Sequence, residues 1–136
     1  MTIELVDIQS ALITKIKADT DITSILKDPK EVREIEWVGS VFSYPNIRVR
    51  VVSFERSDPD CDIFDVIATV IVFGENASSR LTNVIAGKLF NLLDRKQLKS
   101  SVVSAVTRMR AKQLGADYLP ESGLWKSEVN VMFQAK

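Results

Sequence analysis

The chain has 136 residues, of which 46% are hydrophobic and 26% charged, and its 18 basic side chains are matched by 18 acidic ones. This composition excludes a disordered chain and a membrane-spanning one. The even charge balance argues against a general nucleic-acid binder, although it leaves room for a local basic stripe. The length predicts one domain, residues 1–136, large enough to bury a hydrophobic core.

Histidine is absent from the sequence, and Cys61 is its single cysteine. The absence of histidine removes Ser-His and Cys-His nucleophile pairs, imidazole metal ligands and the commonest general base. We therefore expect a protein that is not an enzyme and that binds no cofactor or metal. One cysteine cannot form an internal disulfide, which favours a reducing compartment.

The first predicted elements are an amphipathic helix over residues 3–18 and a short helical turn that is capped by Thr20 or Asp21. One stripe of the helix is apolar, at Leu5, Ile8, Leu12 and Ile16. From Val32 to Phe42 the pattern is weak, and Ile35, Trp37 and Val38 indicate an extended edge segment.

Two strands are predicted next, over residues 46–56 and 62–73, with a turn at Ser57–Asp60 between them. The apolar alternation of the first strand changes phase at Val52 and Phe54, which predicts a β-bulge. The second strand is apolar on both faces. It therefore lies at the centre of the sheet, or a neighbouring subunit covers one of its faces.

The remaining elements are a helix over Ala77–Arg95, capped by Asn76, and two further strands. The strands run from Val103 to Lys112 and from Glu128 to Gln134, before and after a turn with Pro120 and Gly123. The predicted fold is α+β, in the order α-β-β-α-β-β, with a four-stranded, mainly antiparallel sheet and two helices packed on one face.

Two loops are candidate ligand sites. Asp58, Asp60, Asp62 and Asp65 begin like a calcium-binding loop, but Ile63 and Thr69 stand where such a loop needs Gly and Glu. A solvated hairpin tip is the favoured interpretation. The loop Gly74–Arg80 could hold an anion at the start of a helix, but it lacks the glycines and lysine of a phosphate loop, so an ordinary helix cap is favoured.

Alternating basic residues are a stronger candidate for a binding surface. They are Arg48, Arg50, Arg108, Arg110 and Lys112, and residues two apart on a strand share a face. One interpretation is a solvated face whose charges pair with acids such as Glu55 and Glu128. The other is a surface that faces a second subunit or DNA, with the four arginines and Trp125 as contact residues. Trp37 and Trp125 fit an interface or the core equally well.

Several short motifs, in this order, resemble the tail terminator (tail-completion, or neck) proteins of long-tailed bacteriophages. The matching segments are Gln9, Leu12 and Leu26 in the first helices, Tyr44-Pro45 before Ile47-Arg48-Val49, Val70-Ile71-Val72-Phe73 before Ala77–Leu93, and the turn with Glu121, Gly123 and Leu124. The resemblance covers nearly the whole chain. The sequence departs from the family at Gly74-Glu75-Asn76, where a Trp-Ser pair is common, and at Val32–Val41, which has no clear counterpart.

The resemblance implies a structural virion protein that caps the finished tail tube as a hexameric ring, ends its polymerisation and provides the surface for joining the head. The implied partners are other copies of the chain, the tail tube protein, a head-completion or connector protein, and DNA that passes through the lumen without sequence-specific binding. No membrane contact is expected. The implied location is the virion neck, and the host cytoplasm during assembly. The alternatives are a different phage neck protein, or a small α+β ligand-binding or carboxylate-dependent enzyme domain.

Overall fold

A computed structural model describes residues 2–36, 43–75 and 79–136. The helices are α1 (Leu5–Lys17), α2 (Thr20–Thr23) and α3 (Arg80–Leu93), and the strands are β1 (Val32–Glu34), β2 (Asn46–Arg56), β3 (Phe64–Gly74), β4 (Arg110–Leu119) and β5 (Leu124–Ala135). The strands form one five-stranded sheet in the order β1-β2-β3-β5-β4. Of these helices, none is long and apolar enough to cross a membrane.

The predicted four-stranded sheet is wrong, because β1 adds a fifth strand at one edge. It runs parallel to β2, so the sheet is mixed, while the other three pairs are antiparallel. The Ile47 N–H donates to the Glu31 carbonyl over 2.8 Å, and the Ile35 N–H donates to the Val49 carbonyl over 3.0 Å. Three residues are too few to show an alternating pattern, which explains why the sequence predicted only an extended edge segment within Val32–Phe42 and not a strand of the sheet. The α+β class is nevertheless observed.

One hydrophobic core lies between the sheet and the helices. The predicted apolar stripe of α1 supplies Ile8, Leu12 and Ile16, which are fully buried. Helix α1 packs against β1 and β2, whereas α3 packs against β3, β4 and β5. Both helices contribute to the same buried cluster as the inward-facing residues of the strands, so they cover one face of the sheet, and no helix of the described residues lies on the other.

Strand β3 is the central strand, as its two apolar faces predicted. It pairs with β2 on one side and with β5 on the other along its whole length. The bulge in β2 is confirmed as well, because the register shifts between Val51 and Ser53. Before the bulge, Arg50 lies opposite Thr69. After the bulge, Ser53 lies opposite Ile67.

The predicted strand from Val103 to Lys112 is wrong over most of its length, because β4 begins only at Arg110. The preceding residues form an irregular segment with two isolated bridges, Lys99 to Ser104 and Ala105 to Ala135. Its alternation arises because Val103 and Met109 turn inward from a loop and are buried in the core. Two further predictions, the Asn76 cap and the edge segment at Trp37 and Val38, fall outside the described residues.

Candidate interaction surface

The face of the sheet opposite α1 and α3 is the main candidate surface. We call it the open sheet face and define it by Arg50, Val52, Ile67, Thr69, Arg110, Lys112, Asn130 and Met132. Seven of these residues, all except Arg50, line an open groove of about 640 Å³ together with Ala111. Arg50 joins them because it lies opposite Thr69, and cross-strand partners in register share a face.

The floor of this groove is apolar. Val52 is 49% exposed, Ile67 37% and Met132 55%. Ile67 and Met132 are cross-strand partners on β3 and β5, so their side chains are adjacent. Beside them, the Thr69 hydroxyl hydrogen-bonds with the Asn130 Oδ1 over 2.8 Å. Single exposed apolar residues are normal on a protein surface, and the grouping of three of them in one groove makes this face a candidate contact surface.

Basic side chains flank this floor on both sides. Arg50 stands on β2, while Arg110 and Lys112 stand on β4, opposite Met132 and Asn130. All three are exposed, and none of them forms an ion pair with another residue in the described ranges. Their positive charge is therefore available to an external partner.

The acids suggested as partners for the basic residues lie on the same face of the sheet but outside the groove, and in the described ranges neither forms an ion pair with Arg50, Arg110 or Lys112. Glu128 pairs with Lys126, on its own strand, over 3.1 Å. Glu55 lies opposite Asp65, towards the turn between β2 and β3. The open sheet face thus combines an apolar floor with basic sides, which suits a partner that is apolar in the middle and acidic around it.

Arg48 does not belong to this surface, although the sequence gives it the same alternation as Arg50. Its Nη2 lies 2.8 Å from the Glu31 Oε2, and its Nη1 donates to the carbonyls of Glu31 and Ile47. The Arg33 Nε lies 3.7 Å from the other oxygen of Glu31. Arg48 and Glu31 are both buried. The Arg48 side chain therefore contacts residues of its own chain. Its role in subunit contact stays a prediction.

The other two predicted contact residues lie in separate places. Arg108 is exposed in the segment before β4, where it lines a groove of about 400 Å³ with Asp94, Arg95, Met109, Arg110 and Ala111. Trp125 is half-buried at the end of the β4–β5 hairpin, where its ring packs against Tyr118 with 5.2 Å between the ring centroids. The structure thus brings Arg50 and Arg110 to one face, places Arg108 beside Arg110 in a separate groove, and leaves Trp125 apart from both.

The carboxylates near the hairpin between β2 and β3 make contacts within the chain. Asp58 accepts a hydrogen bond from the Asp60 N–H, and Asp62 pairs with Arg56 over 2.8 Å. The Asp65 Oδ1 accepts hydrogen bonds from Gln134 and Ser57, each over 2.8 Å. These two bonds, that of Gln134 first, lower the pKa of Asp65. Within the described ranges, no three side chains suited to metal binding lie close together.

A second exposed apolar pair, at the start of α1, was missed by the sequence analysis. Leu5 was assigned to the buried stripe but is 38% exposed, and the neighbouring Val6 is 55% exposed. Glu4 and Asp7 lie on either side of the pair and form a capping box with the backbone of the first turn. The available signal was the succession of two apolar residues, since an amphipathic helix can bury only one of two neighbours at its margin.

No protein-family model and no curated protein matches the sequence. Among solved structures, the fold is similar to that of a chain in a structure described as the virion of a native gene transfer agent particle. The TM-score is 0.74 at 13% sequence identity, and the match covers 93% of this chain and 92% of that chain. At this identity the likeness establishes a shared fold over nearly the whole domain.

Proposed function

We propose that the chain is a structural subunit of a phage-like virion, which caps the tail tube as a hexameric ring, ends tube polymerisation and provides the surface that joins tail to head. The observation that carries this proposal is the whole-chain fold likeness to a chain of a virion particle. The order of motifs that resembles the tail terminator proteins supports the specific role of capping the tail tube. That role is a property of the family, and the fold alone does not imply it.

The open sheet face supports a function in assembly. Val52, Ile67 and Met132 present apolar surface to solvent in the single chain, and burial against another protein would stabilise the assembly. The flanking charges of Arg50, Arg110 and Lys112 would add specificity of orientation more than affinity. The face has the composition of a protein contact.

Catalysis has no part in the proposed function. A chain without histidine has fewer ways to move protons, and capping a tube requires only complementary surfaces. The proposed partners are other copies of the chain, the tail tube protein and a head-completion or connector protein. DNA would pass through the ring without sequence-specific contacts, and no membrane is involved. The proposed location is the virion neck, after assembly in the host cytoplasm.

The test is a polymerisation assay with the tail tube protein from the same virion. Tube growth is followed by light scattering while the chain is added in increasing amounts. One ring occupies one tube end, so amounts far below the molar amount of tube protein should stop growth and shorten the tubes. An unrelated neutral protein of similar size serves as the control. Growth that continues unchanged at equimolar amounts would contradict the proposal.

A further inference from the structure

The open sheet face and the start of α1 lie on opposite layers of the molecule. Helix α1 buries Ile8, Leu12 and Ile16 against the helix-covered face of the sheet, so its exposed side points away from the sheet. We call Glu4, Leu5, Val6 and Asp7 the α1 patch. Each of the two surfaces contains exposed apolar side chains, which are Val52, Ile67 and Met132 on the open sheet face and Leu5 and Val6 on the α1 patch.

The charges of the two surfaces are complementary. The open sheet face carries Arg50, Arg110 and Lys112, whereas the α1 patch carries two carboxylates beside its apolar pair. The N-terminal segment as a whole is acidic in composition, since residues 2–36 contain eight acidic and five basic side chains.

We propose that the open sheet face binds the α1 patch of a second copy of this chain. Leu5 and Val6 of one copy cover the floor formed by Val52, Ile67 and Met132 of the next. Glu4 and Asp7 lie against the basic side chains at the sides of that floor. The inference rests on the proposed function, since it names the contact that builds the ring.

The contact joins two different surfaces, so it is heterologous. Each bound pair still has one free open sheet face and one free α1 patch. Further copies add in the same way, and the series closes into a ring when the rotation between neighbours allows it. A single type of contact is therefore sufficient to build a closed ring.

Two other occupants fit the open sheet face less well. Two copies that met through this face would bring the arginines and Lys112 of both copies together, and like charges repel. DNA would use the basic side chains through its phosphates but would leave Val52, Ile67 and Met132 without a partner. A second copy, through its α1 patch, satisfies both the charges and the apolar floor.

The experiment uses two variants, each defective in one surface. Met132→Glu places a carboxylate on the floor, where it faces the acids of the α1 patch. The double variant Leu5→Gln/Val6→Gln removes the apolar pair while keeping good helix-forming residues. All three positions are exposed, so the variants should keep the unfolding midpoint of the wild type. Val84→Gln changes an exposed valine on α3 outside both surfaces and is the matched control.

Native mass spectrometry over a range of protein concentrations measures the oligomeric state of each variant. The wild type and Val84→Gln should form rings, and each defective variant alone should stay monomeric. A mixture of the two variants should give a dimer that contains one copy of each and nothing larger. This follows because each variant retains the surface that the other lacks, and the resulting pair has only the two defective surfaces left.

Other outcomes overturn the inference. If both defective variants form rings, the ring is built by other contacts, and the capping function is unaffected. If only Met132→Glu is monomeric, the open sheet face binds a surface of the second copy other than the α1 patch. If the wild type stays monomeric at every concentration, a second copy is not the occupant, and the capping function is judged separately by the polymerisation assay.

Discussion

The Arg48 guanidinium lies 2.8 Å from the Glu31 carboxylate, with only 4% and 3% of the two side chains exposed to solvent. Glu31 immediately precedes β1, and Arg48 lies on β2, so the pair joins the edge strand to its neighbour through side chains as well as backbone. Each of two buried charges at this distance compensates the other, so the removal of either one leaves a buried charge without a partner and destabilises the fold.

Arg48→Ala should lower the free energy of unfolding by about 3–5 kcal/mol, because it leaves the Glu31 carboxylate buried without its closest partner. Arg50→Ala is the matched control, since Arg50 is exposed two residues further along the same strand, and its effect should stay within about 0.5 kcal/mol. Urea unfolding measures both values. Equal effects at the two positions would show that the buried pair does not stabilise the fold.

Asp65 should make stability depend on pH. Its pKa is lowered below the ordinary value of 3.8 because Gln134 and Ser57 donate hydrogen bonds to its charged form. The folded state therefore binds this proton less readily than the unfolded state, and the resulting stability is present above 3.8 and is lost as the pH falls through the folded-state pKa. The difference in unfolding free energy between wild type and Asp65→Asn should be constant near neutral pH and shrink in acid. A difference that is constant down to the lowest pH would contradict this account.

Gly74→Ala should destabilise the fold by about 1–3 kcal/mol through overpacking. A Cβ at Gly74 would lie 2.6 Å from the Thr82 Cγ2, at the point where the end of β3 meets the start of α3. Thr82 cannot easily turn away, because it is buried and its hydroxyl donates to the Ser79 carbonyl over 2.9 Å.

Gly115→Ala is the control for that substitution, since a Cβ there would meet nothing within 4 Å. Adding Thr82→Ser to Gly74→Ala should restore most of the lost stability, because serine keeps the hydroxyl and lacks the methyl group in question. Thermal unfolding of the three variants measures the effect. If Thr82→Ser brings no recovery, the contact with Thr82 is not the cause of the loss.

The parts of the fold that could be predicted are those in which burial repeats with a regular period. Strand β3 has two apolar faces and lies at the centre of the sheet, and the phase change at Val52 marks the bulge. Strand β1 could not be predicted in the same way, because Val32–Glu34 is too short to show a period. Before β4, Val103 and Met109 imitate a strand pattern because a loop packs them into the core.

The candidate surface could be predicted only in part, because a strand pattern assigns a residue to a face but does not identify its partners. Arg48 and Arg50 are equivalent in the alternation. Only Arg48 is buried, and it pairs there with Glu31, which lies 17 residues earlier in the sequence. The apolar floor depends on Ile67 and Met132, which are far apart in sequence and become neighbours only through the pairing of β3 with β5.

Electron microscopy of tube ends tests whether the chain caps a tail tube as a ring. Tubes are assembled from the tail tube protein of the same virion in the presence of this chain, and their ends are imaged and averaged. The account predicts a sixfold ring of this chain at one end of each tube, with growth stopped at that end. Bare ends on tubes that continue to grow, or binding of the chain along the tube wall, would contradict it.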